Sequence, residues 1–174
     1  TLALNEMRFG SPFEFGYRYM IVPPELRARL LEYGPISIAH LARNLHYVVL
    51  VIPQIVRDAA AQPVFPLLVS DPHGMGLFFV TPAFVAAFLA VTATDRRRRI
   101  LLGLTWVSLV LTCLPGLLYY NTGWVQWGGR FLLDGWPMWL VLTALGLRRM
   151  PRILAWVLVV LSVLSNAWAT LLTT

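Results

Sequence analysis

The chain has 174 residues, 58% of them hydrophobic, and a formal net charge of +6. That apolar fraction, with a mean hydropathy of +0.68, exceeds the roughly 45–50% of soluble domains, and a single cysteine, Cys113, excludes an intrachain disulfide. Seven of the fourteen basic residues lie in two short loops, 95–99 and 148–152, where membrane topology accounts for them and no nucleic-acid partner is implied.

Residues 5–19 read NEMRFGSPFEFGYRY. Aromatic residues alternate with charged ones, and Gly10, Pro12 and Gly16 break any helix, so the segment is expected to be an irregular loop with aromatic anchors. Rings at this density suit the headgroup zone of a bilayer. Arg8, Glu14, Tyr17 and Arg18 form the first polar cluster. It reads either as an outward-facing anion or sugar site, since Arg presents a planar fork to phosphate oxygens, or as a loop pinned by Arg–Glu pairs. The chain starts at Thr1 and shows no signal-type apolar region, so it is read as a piece of a longer protein with further spans upstream.

Pro23 and Pro24 suit a first helical turn, and a helical pattern follows over 25–32. Residues 36–55 are apolar enough for a span, yet His40, Arg43, Asn44 and His46 crowd the first half. A buried Arg costs at least about 2.5–3.5 kcal/mol at mid-bilayer. The expected arrangement is therefore a helix over 39–52 lying along the interface. Residues 59–72 read as a loop, closed by a turn at Asp71, Pro72, His73 and Gly74.

Four apolar runs follow, at 75–94, 100–120, 131–147 and 153–172. Each approaches the roughly 20 residues a helix needs to cross a bilayer. Pro82 predicts a kink in the first. Short Arg-dense loops stay in the cytoplasm, which puts 95–99 and 148–152 inside and residues 1–73 and 121–130 outside. The fold class expected is an all-α polytopic membrane protein: an outer region of loop and interfacial helix, 1–73, then a bundle of about four transmembrane helices, 74–174.

The connection 121–137 reads NTGWVQWGGRFLLDGWP and holds the second polar cluster, Gln126, Arg130 and Asp134. In an α-helix Arg130 and Asp134 would be i,i+4 neighbours. They read either as an ion pair capping a transmembrane helix or as a site in which Arg130 holds a phosphate and Asp134 orients it. There is no GxGxxG, GxxxxGK, HExxH or CxxC, and His40, His46 and His73 lack helical ligand spacing. No metal site is therefore assigned.

RFGSPFEFGYRY, GMGLFFVTPAF and GWVQWGGRFLLDGWP follow one another in an order that resembles bacterial polytopic glycosyltransferases of the GT-C class, the protein-mannosyltransferase and lipid A sugar-transferase group. The resemblance covers most of the chain and implies a C-terminal portion of such an enzyme, in the bacterial inner membrane. It implies a lipid-linked sugar donor, polyprenyl phosphate as leaving group, and an acceptor on the outer face. The family's catalytic acid lies in a first outer loop that this chain lacks, so no catalytic residue is named. The resemblance implies that Arg8 and Arg130 contribute to the donor phosphate or cavity wall. Glu14, Tyr17, Gln126 and Asp134 complete the expected substrate-binding set. No cofactor is assigned from the residues; a divalent metal would belong to the full-length enzyme. Two other readings stay open: a transporter or flippase of lipid-linked saccharide, and a non-catalytic membrane scaffold. Membrane lipid is a partner in all three.

Overall fold

The computed structural model describes residues 1–16, 19, 21–57, 62–71, 73–92, 95–123 and 127–173. The fold is mostly helical. The opening segment is less irregular than its glycines suggest, because helix α1 spans Leu2–Phe9 and stops at Gly10, whose φ of 67° makes it a left-handed cap. Asn5, buried, donates from Nδ2 to Pro12 O at 3.2 Å and folds the following loop back on the helix. Helix α2, Pro24–Tyr33, forms where the periodicity predicts, with proline at its start.

A 3-10 turn at Ile38–His40 leads into α3, Leu41–Val49. At about 1.5 Å per residue α3 is roughly 13 Å long, less than half of a bilayer core of about 30 Å. It ends before Ile52 because the chain turns into strand β1, Gln54–Arg57. β1 pairs antiparallel with β2, Pro63–Val69, in the register Gln54↔Val69 and Ile55↔Leu68. This hairpin corrects the all-α expectation and the loop expected over 59–72; residues 59–61 and Pro72 lie outside the described residues. Pro63 and Pro66 argue against a strand in a sheet interior, but both strands of a two-stranded ribbon are edges, where proline is tolerated.

The first apolar run is not one straight helix. It comprises α4, Leu77–Val80, and a 3-10 stretch, Pro82–Leu89, broken apart at Thr81 and Pro82. Met75, Phe84, Ala86, Ala87 and Ala90 are buried, which places this segment at the centre of the bundle. Helix α5, Arg96–Leu118, begins with Asp95 Oδ2 accepting from Arg98 N at 3.2 Å. A 3-10 turn at Arg130–Gly135 then leads into α6, Trp136–Leu147, and α7 runs over Arg152–Thr173. Among the described residues two helices are long and apolar enough to cross a membrane, α5 and the Arg152–Leu171 part of α7. Their outer surfaces are apolar too: Leu104, Val107, Val110 and Leu111 on α5, and Trp156, Val160, Val163 and Leu164 on α7, are half or more exposed. A soluble core helix hides such residues; apolar faces of this extent mark a lipid or protein contact.

Three devices hold the broken segment between α6 and α7. First, Gly146 of α6 lies so close to Ala86 that a methyl group there would overlap the Ala86 carbonyl oxygen. Second, Phe84 stacks on Trp139 with centroids 5.4 Å apart and planes 12° from parallel. Third, α7 supplies a polar stripe at i, i+3, i+4. Ser165 Oγ donates to Phe79 O at 3.1 Å, Asn166 Nδ2 donates to Val80 O at 2.9 Å, and Ser162 Oγ accepts from Ala83 N at 3.0 Å. Pro82 has no N–H to give, and buried backbone groups persist where other parts of the protein satisfy them.

α5 also packs closely on the 130–135 turn. A Cβ on Gly135 would sit 2.6 Å from Cys113 Sγ, and one on Gly116 would sit 2.8 Å from Phe131 O. Cys113 is a buried free thiol, the small apolar filler its sequence position implies.

Candidate functional site

The bundle has two unlike ends. At the first, the C-terminus of α5 leaves backbone carbonyls without intrahelical donors. Asn44 of α3, 1% exposed, donates from Nδ2 to Leu117 O at 2.8 Å and Tyr119 O at 2.7 Å. Ser37 N donates to Leu118 O at 2.9 Å, and Tyr120 N donates to Pro35 O at 2.9 Å. The Arg43 guanidinium donates to Asn44 Oδ1 and to Tyr120 O. Two of the polar residues that crowd the first half of 36–55, Arg43 and Asn44, are thus the cap of α5. Burial, and next the charge of Arg29, lower the Arg43 pKa from its ordinary value. His40, fully buried, sets Nε2 3.0 Å from Gly34 O. That oxygen can only accept, so Nε2 carries a proton.

Beside this cap, α3 and the hairpin border a shallow, open cleft of about 630 Å³, lined by His46, Tyr47, Gln54, Arg57 and Asp71 among apolar residues. Asp71 Oδ1 accepts from His73 N at 2.8 Å and lies 3.2 Å from His73 Nδ1. Glu25 Oε1 stands 3.7 Å from His73 Nε2, too far for a hydrogen bond. The His73 ring rests on Tyr47, centroids 5.2 Å apart. Burial raises the Tyr47 pKa, as do Asp71 and Glu25, with Arg43 opposing. The cleft therefore offers a cation in Arg57, a carboxylate in Asp71 and hydrogen-bonding rings in His46 and Tyr47. This set can hold a hydroxylated or anionic group. Among the described residues no three His, Cys, Asp or Glu side chains converge to hold a metal ion.

The residues singled out from sequence are spread over other elements. Arg8 is exposed in the last turn of α1. Glu14, half-buried, accepts from Gly16 N at 2.8 Å and shapes its own loop. With Phe13 and Phe15 it lines a cavity of about 760 Å³ against Arg27, Leu30 and Leu31 of α2. Arg130 is exposed with its guanidinium 5.3 Å from the Phe131 ring centre, a cation–π distance. Asp134 is exposed on the same turn. That turn is 3-10, not α, and a 3-10 helix eclipses i with i+3; positions 130 and 134 are a third of a turn apart and do not share the face that an α-helix would give them. Tyr17 and Gln126 lie outside the described residues, as does Arg18.

Sequence reasoning missed the cleft. Its signals were His46 and Tyr47 on α3 and the Asp71-x-His73 turn. What joins them is the hairpin, which the prolines concealed.

At the opposite end the two Arg-rich loops meet. Arg149 donates from Nη1 to Leu89 O at 2.6 Å and Thr92 Oγ1 at 2.9 Å, and from Nη2 to Thr92 O. It closes the end of the central 3-10 stretch as Asn44 closes α5. Trp106 Nε1 donates to Ala90 O at 3.1 Å beside it.

No family model, curated protein or solved structure matches this chain.

Proposed function

We propose that the chain is the C-terminal part of a polytopic bacterial glycosyltransferase of the GT-C kind. It moves a sugar from a polyprenyl-phosphate donor to an acceptor at the outer membrane face. In this reading all four apolar runs lie within the membrane, the 95–99 and 148–152 loops face the cytoplasm, and α1–α3 with the hairpin form the outer region.

The observation that carries the reading is the separation of the two ends. Both Arg loops gather at one end of α5, and a cleft bearing Arg57, Asp71, His46 and Tyr47 opens near the other. Short Arg-dense loops belong inside, so the cleft is on the side where lipid-linked sugars are used. A phosphate leaving group needs fixed positive charge as it departs. Arg57, which lines the cleft, and Arg130, at the start of the turn that leads into α6, are the guanidiniums this reading assigns to it.

The test is transfer of sugar from a polyprenyl-phosphate donor by the full-length protein. Arg130→Lys keeps the charge and loses the bidentate fork, so activity is expected to fall while the protein stays folded. Near wild-type turnover would remove Arg130 from the donor site. Orientation is read separately by cysteine labelling from outside in a Cys113→Ser background. Arg130→Cys is expected to label and Arg97→Cys to stay protected; the reverse pattern overturns the topology.

A further inference from the structure

The basic end of the bundle holds a cavity of about 700 Å³ among α5, α6 and the end of the central segment. Its walls divide by chemistry. Leu101 and Leu102 of α5 face Val141 and Leu145 of α6 across an apolar channel, and Arg98 and Arg148 stand at the rim with Arg149. Arg149 is committed to Leu89 and Thr92. Among the described residues the side chains of Arg98 and Arg148 have no hydrogen bond or ion pair, although both line the same cavity. Leu101, Val141 and Leu145 are 55%, 51% and 41% exposed. The channel therefore continues onto the apolar outer surfaces of α5 and α6.

We infer that this cavity binds one anionic phospholipid. The phosphodiester sits between Arg98 and Arg148, each able to give it two N–H donors, and an acyl chain runs down the channel over Leu101, Leu102, Val141 and Leu145. A soluble phosphate would use the rim and leave the channel empty; a zwitterionic phospholipid would fill the channel but bring its own quaternary ammonium cation up against the two guanidiniums. A lipid with net negative charge satisfies both halves without that repulsion. Basic pockets between membrane helices are suited to such headgroups. The inference rests on the membrane reading proposed for α5 and α6 and is independent of glycosyl transfer.

The experiment uses the whole chain, purified in mild detergent, stripped of lipid, and offered phosphatidylglycerol or phosphatidylcholine with the same acyl chains. Bound lipid is counted by native mass spectrometry. One phosphatidylglycerol is expected to bind about tenfold more tightly than phosphatidylcholine. Arg98→Gln with Arg148→Gln is expected to erase that preference. Arg96→Gln with Arg97→Gln removes the same charge from a neighbouring crease and is expected to preserve it. Val141→Trp fills the channel at a half-exposed position, leaves every charge in place, and is expected to expel the lipid; a thermal unfolding scan of each variant confirms that it is folded. Equal binding of the two lipids, or equal losses in the two double variants, overturns the site in favour of a diffuse basic surface. Release of the lipid by millimolar glycerol 3-phosphate overturns it in favour of a free-phosphate site.

Discussion

The central segment and α7 look alike in sequence and differ most in structure. Both are apolar runs of similar length. α7 forms 22 residues of continuous helix, with Trp156, Val160 and Leu164 outward. The central segment breaks at Pro82, tightens to 3-10 geometry over Pro82–Leu89, and buries Ala83, Phe84, Ala86 and Ala87. The difference lies in side-chain size and in who satisfies the backbone. Small residues let α6 and α7 approach the backbone closely. The broken carbonyls then need donors, and α7 provides them through Ser165 and Asn166. A hydropathy average records the apolarity of both segments and neither of these facts.

The hardest way to break this arrangement is at Gly146. Gly146→Val should destabilise by about 3 kcal/mol or more, because the new side chain meets the Ala86 backbone and no flexible side-chain end. Thermal unfolding in detergent should show it as loss of the folded fraction, whereas Gly103→Val on α5, with open space around it, should stay close to wild type. Comparable stability of the two variants would mean that α6 does not rest on the central segment.

A smaller effect sharpens the account of the break. Asn166→Leu should cost about 1 kcal/mol, the scale of one interhelical hydrogen bond in a membrane protein. The cost should shrink in a Pro82→Ala background, where the restored N–H and a continuous helix can satisfy the carbonyls from within. A double-mutant cycle on unfolding free energy reads the coupling. Strict additivity would separate the α7 stripe from the proline break.

The smallest effect concerns the other end. Tyr47 has its pKa raised by burial first, then by Asp71. A folded pKa above the unfolded value of about 10 contributes stability that is complete below the unfolded pKa and lost as pH rises through the folded one. Wild type should therefore lose stability relative to Tyr47→Phe above pH about 10, and Asp71→Asn should narrow the loss. A constant gap between wild type and Tyr47→Phe across that range would place Tyr47 in open solvent.

Several features were legible without coordinates. Hydropathy marked α5 and α7, proline and periodicity marked α2, and Pro82 marked the break in the first run. These are local: each follows from a few consecutive residues and the backbone geometry they permit. α1 was hidden by its brevity, since eight residues carry little periodicity. The hairpin was hidden by prolines that only an edge tolerates. Arg43 and Asn44 read as polar intrusions in a span until Leu117, Tyr119 and Tyr120 stood beside them, more than seventy residues further along. The candidate cleft has the same origin: His46, Tyr47, Arg57 and Asp71 surround one space because the chain turns back on itself at the hairpin. Sequence by itself determined which stretches are apolar and that the backbone breaks at Pro82. Tertiary structure alone decided which partners satisfy each freed carbonyl and buried cation, because a hydrogen bond depends on distance in space, and chain folding sets that distance without regard to separation in sequence.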